Sequence, residues 1–262
     1  EKGYVLSCST AVKEDLVIEI PAFSRLSKHS VMLESTMTSK DLKGEIAEDK
    51  PYLPLARKLY VELQEADLSS NVNDLDRLRA VLSGEHGIKD VNIGLRCLRK
   101  LPEALREGGF QLTIVLTCIK GVYDIIDIKP GKASGPVYGL AVDIGTTTVA
   151  AALVDLERGT VVDRIGSYNK QSGYGSDVIS RIVYADENDD GLKNLQYAVI
   201  ETINGITTEI VEKHGIDKED ICAVTCAGNT VMSHMFIGLS PKYLRLEPYI
   251  PAAVKFPVLK AG

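Results

Sequence analysis

Apolar and polar positions alternate along residues 51–130 in a way that predicts a small mixed module. A mixed run near Lys58–Leu63 predicts a strand. The helical spacing of apolar residues over Asn71–Leu82, with Asn73 as the N-cap, predicts an amphipathic helix. Two further short helices are expected, over Ile93–Leu98 and Pro102–Glu107. The pattern of this part is therefore α/β.

A β-hairpin is predicted at the end of this module. Its strands are the apolar runs Gln111–Leu116 and Val122–Ile128, which flank a Lys-Gly turn. The hairpin completes an α/β module of about 80 residues, in which no catalytic constellation stands out. Cys97 and Cys118 lie among apolar residues, so both are expected to be buried, inert thiols.

The remainder of the chain predicts a second sheet. Tyr138–Ile144, Val149–Leu156 and Val161–Ile165 are apolar runs separated by tight turns, which is typical of an antiparallel meander. A long amphipathic helix follows over Leu192–His214, and Ile221–Thr225 is expected to add a fourth strand. The fold class is therefore α/β, in the broader sense that includes α+β.

Cys222 and Cys226 stand four residues apart on the last of these strands. Because side chains alternate with a period of two along a strand, both thiols are expected on the same face. Two readings stay open, namely a pair of buried core cysteines or an iron–sulfur or redox pair. A metal site would need more ligands, and His234 is the nearest candidate in the sequence.

Composition narrows the class of protein further. The 262 residues carry 30 basic and 36 acidic side chains, a net charge of −6, which argues against nucleic acid as the partner. No apolar run reaches the ~18 residues of a membrane span. Five cysteines are an odd number for a disulfide framework, and the first residues lack the features of a signal peptide. A cytoplasmic protein is expected.

The first turn of the second sheet carries the candidate chemistry. The strand that precedes it ends in an acid, Asp143, which is expected to be buried, and Gly145, Thr146, Thr147 and Thr148 follow. Backbone N–H groups and hydroxyls in such a turn can bind a polyphosphate. Asp143 is placed to hold Mg²⁺ through water, because Mg²⁺ keeps most of its waters. The alternative is an ordinary Gly-Thr hairpin with Asp143 as a turn acid.

Five more residues are candidates for the same cleft. Asn169 and Gln171 stand between a strand and a helix, where they either are solvated or line the cleft. Asp177 begins a helix, either as a simple cap or as a neighbour of nucleotide or Mg²⁺. Gly228 and Asn229 follow the carboxyl end of a strand, which is where open α/β sheets bind ligands.

Several of these segments resemble known families. Asp143–Thr148 resembles the first phosphate motif of the actin, sugar-kinase and heat-shock ATPase superfamily. More narrowly, four segments resemble, in the same order, the reductive activators of corrinoid proteins. They are Asn169–Gln171, Tyr174–Ile182, Ala227–His234 and Pro248–Pro251.

The resemblance implies a domain order. In that family a plant-type 2Fe–2S ferredoxin domain precedes a linker, a small middle domain and an ATPase domain. Residues 1–27 would then be the C-terminal remnant of the ferredoxin domain, with Cys8 as its last cluster ligand. Residues 28–50 would be the linker and residues 51–130 the middle domain. Residues 137–262 would form the first, ribonuclease-H-like lobe of the ATPase domain.

The resemblance also implies the cofactors. ATP with Mg²⁺ would bind at the Gly-Thr turn, with Asp143 as the catalytic residue. The 2Fe–2S cluster needs three more cysteines upstream of Cys8, and this sequence does not contain them. About 120 residues follow Asp143, which suffices for one of the two lobes of such an ATPase. Full ATPase activity is therefore not expected from these 262 residues alone.

The implied activity is ATP-dependent reduction of an inactive Co(II) corrinoid to Co(I), with an electron from the iron–sulfur cluster. Its partners would be a corrinoid iron–sulfur protein or the corrinoid subunit of a methyltransferase, and a low-potential electron donor. Two alternatives stay open. One is a small-molecule kinase or another ATPase of the superfamily, and the other is a docking module without catalysis of its own. The oligomeric state is also open, with a homodimer among the alternatives.

Overall fold

The computed structural model of the protein describes residues 54–65, 71–119 and 121–259. The predictions for residues 1–27 and 28–50, including the role of Cys8, lie outside these residues. Two four-stranded sheets form the framework. The strands are β1 Ala56–Glu62, β2 Val91–Ile93, β3 Gln111–Ile119, β4 Val122–Pro130, β5 Tyr138–Ile144, β6 Thr148–Asp155, β7 Thr160–Tyr168 and β8 Ile221–Gly228. The α-helices are α1 Asp74–His86, α2 Leu95–Glu107, α3 Val178–Glu187, α4 Gly191–His214 and α5 Thr230–Phe236.

The first sheet has the strand order β1-β3-β4-β2 and forms, with α1 and α2, a unit that we call the module. The hairpin β3–β4 is antiparallel as predicted, β1 pairs with β3, and the short β2 runs parallel to β4. Helix α1 begins where the sequence predicted, because the side chain of Asn73 accepts a hydrogen bond from the backbone N–H of Asp76. Leucines of both helices pack on the apolar face of the sheet.

Two predictions in this module are wrong. The expected pair of short helices is one continuous helix, α2, which runs through Pro102, and Ile93 belongs to β2. An interior proline costs a helix about 3 kcal/mol. The buried stripe of Cys97, Leu101 and Leu105, spaced four residues apart, continues on both sides of the proline and offsets that cost. Cys97 is buried as expected, but Cys118 is exposed near the turn of the hairpin.

The second sheet has the order β7-β6-β5-β8, and together with α3, α4 and α5 it forms a unit that we call the lobe. Strands β5, β6 and β7 make the predicted antiparallel meander, and β8 pairs in parallel with β5. Helix α4 is the predicted long amphipathic helix and ends at Gly215, whose φ of 59° only glycine adopts easily. The core of the lobe lies between this helix and the sheet.

The two cysteines of β8 do not share a face, in contrast to the prediction. Tyr138 and Gly139 of β5 pair with Ile221 and Ala223, so Cys222 is an extra residue in a β-bulge. The bulge shifts the alternation of the strand by one residue. Cys222 consequently packs beside Leu156, whereas Cys226 packs toward the core of the lobe.

The module and the lobe are joined by a small apolar cluster. Ala56 and Val115 of the module pack there with Val137 and Leu156 of the lobe. Ion pairs also link the module to the lobe, among them Lys129 with Asp220, whose charged atoms are 2.6 Å apart. None of the helices in the described ranges is long and apolar enough to cross a membrane.

Candidate functional site

Two turns meet at one edge of the lobe. Strands β5 and β8 are parallel neighbours in which Ile144 pairs with Gly228, so the chain leaves both strands side by side. The turn Gly145–Thr148 therefore lies next to Asn229. The amide Nδ2 of Asn229 is 3.4 Å from the hydroxyl Oγ1 of Thr146. The structure thus brings together the predicted phosphate turn and the predicted Gly-Asn turn.

Both turns depend on glycine. A Cβ atom at Gly145 would lie 2.4 Å from the backbone oxygen of Thr148, a distance that no side chain tolerates. A Cβ atom at Gly228 would lie 3.0 Å from the backbone oxygen of Ile144. These glycines therefore allow the backbone segments to approach each other closely.

Asp143 is exposed, in contrast to the expected buried acid. It stands on β5 with its side chain on the face of the sheet that the helices leave open, because Val142 and Ile144 on either side point into the core. A shallow hollow of about 320 Å³ lies on this face and is lined by Asp143, Arg164 and small residues such as Ala150. An exposed carboxylate therefore stands beside the turn.

The surroundings of Asp143 fit a magnesium ion bound mainly through water. In the described ranges no three acidic, histidine or cysteine side chains come together to enclose a metal. Mg²⁺ is commonly held by one or two carboxylates, several waters and the phosphates of its ligand. Because the described ranges contain no such group of metal-binding side chains, the described cysteines also lack the set of ligands that an iron–sulfur cluster needs.

Asn169 and Gln171 are completely buried beneath the turn. Asn169 donates from Nδ2 to the carbonyl of Gly145 at 2.9 Å, and its backbone N–H donates to the carbonyl of Thr147 at 2.9 Å. Gln171 receives the Asn169 amide at 3.2 Å and donates to the carbonyl of Leu195. The two side chains thus anchor the turn to helix α4.

Arg181 is a further residue of this network, and it was not among the candidates that the sequence indicated. It is completely buried on α3, and its Nη2 donates to the carbonyl of Thr146 at 2.7 Å. Its Nη1 donates to Oε1 of Gln171 at 3.2 Å. The available signal was its spacing, because Arg181 follows Val178 by three residues and so falls on the apolar stripe of the helix.

These contacts orient the N–H groups of the turn. The carbonyls of Gly145 and Thr146 point inward to Asn169 and Arg181. In a trans peptide the N–H points opposite to the carbonyl of the same peptide unit. The N–H groups of Thr146 and Thr147 therefore point away from the interior. They face the surface, at which Thr147 is exposed. Such outward N–H groups can bind an anion.

Asp177 is the N-cap of α3 and forms a capping box with Ser180. A hydrogen bond from the backbone N–H of Ser180 lowers the pKa of the Asp177 carboxyl, with further hydrogen bonds acting in the same direction. Its carboxylate is exposed at the surface. The structure thus assigns it a capping contact, and its role toward a nucleotide or Mg²⁺ stays a prediction.

Helix α5 fixes Asn229 and carries the buried His234. The side chain of Asn229 caps the helix by accepting from the backbone N–H of Met232 at 2.9 Å. His234 is completely buried; its Nδ1 lies 2.7 Å from the carbonyl of Thr230, and its Nε2 accepts from the N–H of Ala252 at 3.2 Å. His234 therefore ties the helix to the chain that follows it.

The cysteines of β8 lack the properties of a reactive pair. Burial raises the pKa of the Cys222 thiol to about 11, and burial also raises the pKa of Cys226. A thiol with a raised pKa carries little thiolate at neutral pH, and thiolate is the reactive form. Both residues thus have the properties of structural cysteines.

Fold and site together define a class. A meander followed by a parallel strand, with a Gly-Thr turn facing a second strand-end turn, is a lobe of an ATPase-type fold preceded by a separate α/β module. Comparison with known proteins agrees with this class. The family model described as the RACo linker region matches residues 46–135, and the one described as the RACo middle region matches residues 138–262.

Two similar proteins support the same family assignment. The corrinoid activation enzyme RamQ of Eubacterium limosum is 31% identical over 250 residues, which cover 95% of this chain and 39% of RamQ. A solved structure described as a reductive activator for corrinoid, iron-sulfur protein is 41% identical and superposes with a TM-score of 0.71. That match covers 97% of this chain and 41% of the solved chain.

The chain belongs to the RACo family, whose linker and middle regions it carries. The family's linker region contains the module, and its middle region contains the lobe. The chain spans about two fifths of the length of the relatives that it matches.

Proposed function

We propose that this chain supplies the phosphate-binding lobe of an ATP-dependent activator, which reduces a corrinoid protein from Co(II) to Co(I). The observation that carries the proposal is the meeting of the Gly145–Thr148 turn and Asn229 beside the exposed carboxylate of Asp143. The relatives, a corrinoid activation enzyme and a reductive activator, support corrinoid activation. The activity belongs to the intact protein, of which this chain is part.

The residues in and beside the turn have different roles in nucleotide binding. The N–H groups of Thr146 and Thr147 and the nearby hydroxyls donate to the phosphates. Asp143 would hold a magnesium ion through its waters, and the ion would neutralise phosphate charge. Asn229 holds the second turn against the first, so that movement of one turn displaces the other.

ATP is needed because the redox step is unfavourable. Reduction of Co(II) to Co(I) takes one electron, which a 2Fe–2S cluster in the intact protein would supply and which a low-potential donor would then replace. For a one-electron step, each ~59 mV of unfavourable potential lowers the equilibrium constant about tenfold. Binding and hydrolysis of ATP offset this by changing the contact with the corrinoid protein. The lobe thus acts as a conformational motor.

The proposal predicts the effect of Asp143→Ala in the intact protein. Loss of the carboxylate should lower Mg²⁺-dependent ATP hydrolysis by roughly 10- to 100-fold or more, as expected when a partner of a bound metal is removed. Thermal unfolding should be unchanged, because Asp143 is exposed. Asp189→Ala, at an exposed loop acid, is the matched control.

Three outcomes discriminate among the functions. Unchanged hydrolysis in Asp143→Ala would show that the hairpin is structural only. Hydrolysis that depends on a sugar-like substrate would favour the kinase alternative. Binding of a corrinoid protein without any nucleotide turnover would favour the docking module.

A further inference from the structure

Arg181 carries a buried positive charge directly behind the phosphate turn. The guanidinium donates to the carbonyls of Thr146 at 2.7 Å and Gly175 at 2.8 Å, and to the amide oxygen of Gln171 at 3.2 Å. Its Nη1 also lies 3.6 Å from the sulfur of Met232. All of these acceptors are neutral. The network therefore satisfies the hydrogen bonds of the guanidinium but not its charge.

The described ranges contain no carboxylate in ion-pair contact with Arg181. Burial lowers the pKa of the guanidinium, and Asp177 opposes this only from a distance. Asp177 is exposed and already caps α3. Arginine cannot escape the cost of burial by losing its proton. A neutral side chain could donate hydrogen bonds to the same carbonyls at a lower cost of desolvation. Hydrogen bonding alone therefore does not account for a charge at this position.

We propose that the polyphosphate bound at the Gly145–Thr148 turn is the counter-charge of Arg181, so that Arg181 makes the site prefer highly charged ligands. This inference rests on the function proposed above. Arg181 is a positioning residue, because it acts through the Thr146 peptide and through its field and does not touch the ligand. In the interior its field is weakly screened, and it acts across the turn on the phosphates.

The test measures the affinity of the intact protein for AMP, ADP and ATP in the presence of Mg²⁺. In Arg181→Met, affinity for ATP should fall about tenfold or more, the factor that corresponds to a loss of 1.4 kcal/mol. The loss should be smaller for ADP and smallest for AMP. Gln171→Met breaks the same network without changing charge, so it should weaken all three ligands by a similar factor. Arg158→Met removes an exposed charge far from the turn and should change none of them.

Arg181→Lys keeps the positive charge but not the planar fork of donors. It is the variant to measure if Arg181→Met does not fold. Its ratio of ATP to AMP affinity should stay close to that of the wild type. An unchanged ATP affinity in Arg181→Met, an equal loss for AMP and ATP, or a collapsed ratio in Arg181→Lys would overturn the inference. A wild-type protein that binds none of the three nucleotides would instead overturn the proposed function itself.

Discussion

Buried polar side chains, more than the threonines of the turn itself, determine the shape of the phosphate turn. Asn169 and Arg181 each hold a carbonyl of the turn from the interior, and this orients two N–H groups outward. The sequence indicated Asn169 as a candidate because it is polar and lies between a predicted strand and a predicted helix. It did not show Arg181, because its burial depends on contact with Thr146, 35 residues away.

Gly145→Ala tests the close approach within the turn. The new Cβ would lie 2.4 Å from the oxygen of Thr148, so the backbone must shift. We expect a loss of about 1–3 kcal/mol in the free energy of unfolding, as for other overpacked sites, and weaker nucleotide binding. Chemical denaturation measures the first effect and calorimetric titration with ATP the second.

Gly173→Ala is the control for this prediction. Gly173 belongs to the short 3-10 turn that contains Gln171, but its Cβ would meet nothing within 4 Å. Stability and binding should both stay near the wild type. Equal effects of the two substitutions would contradict the role of close packing at Gly145.

Asn229 has two functions that substitution can separate. Asn229→Asp keeps an oxygen that caps α5 but loses the amide that faces Thr146 and adds a negative charge beside the turn. We expect near-normal stability and much weaker ATP binding, because like charges repel. Asn229→Ala should also lose about 1 kcal/mol of stability, the usual contribution of an N-cap. Normal ATP binding by the aspartate variant would place the nucleotide elsewhere.

At the scale of elements, features set by a few adjacent residues were predictable and features set by packing were not. The N-cap Asn73 and the stop at Gly215 follow from local chemistry. The β5–β7 meander follows from alternation and tight turns. The continuous helix through Pro102 depends on burial of its apolar stripe against the sheet, which local propensity does not contain. The bulge at Cys222 reflects pairing with β5.

The module and the lobe behave as neighbours with a shared core. Leu156 fills the joint, and Gly139 leaves room for it, since a Cβ there would lie 2.8 Å from Leu156. Leu156→Ala should lower the free energy of unfolding by about 2–4 kcal/mol, in the range of buried leucine truncations. Differential scanning calorimetry should then show the module and the lobe unfolding in separate transitions.

Lys129→Ala provides the comparison at the same joint. It breaks the ion pair with Asp220, and such partly exposed pairs contribute at most about 1 kcal/mol. The transition should therefore stay single. A larger effect of Lys129→Ala than of Leu156→Ala would show that charge, and not apolar burial, joins the module to the lobe.

The most direct test follows cobalt reduction by absorption spectroscopy in an anaerobic mixture of the intact, reduced protein and its Co(II) corrinoid partner. Our account predicts that Co(I) accumulates when ATP and Mg²⁺ are added, and that ADP or the Asp143→Ala variant supports little reduction. Formation of Co(I) at the same rate and to the same extent without nucleotide would contradict the account. So would ATP hydrolysis that leaves cobalt as Co(II).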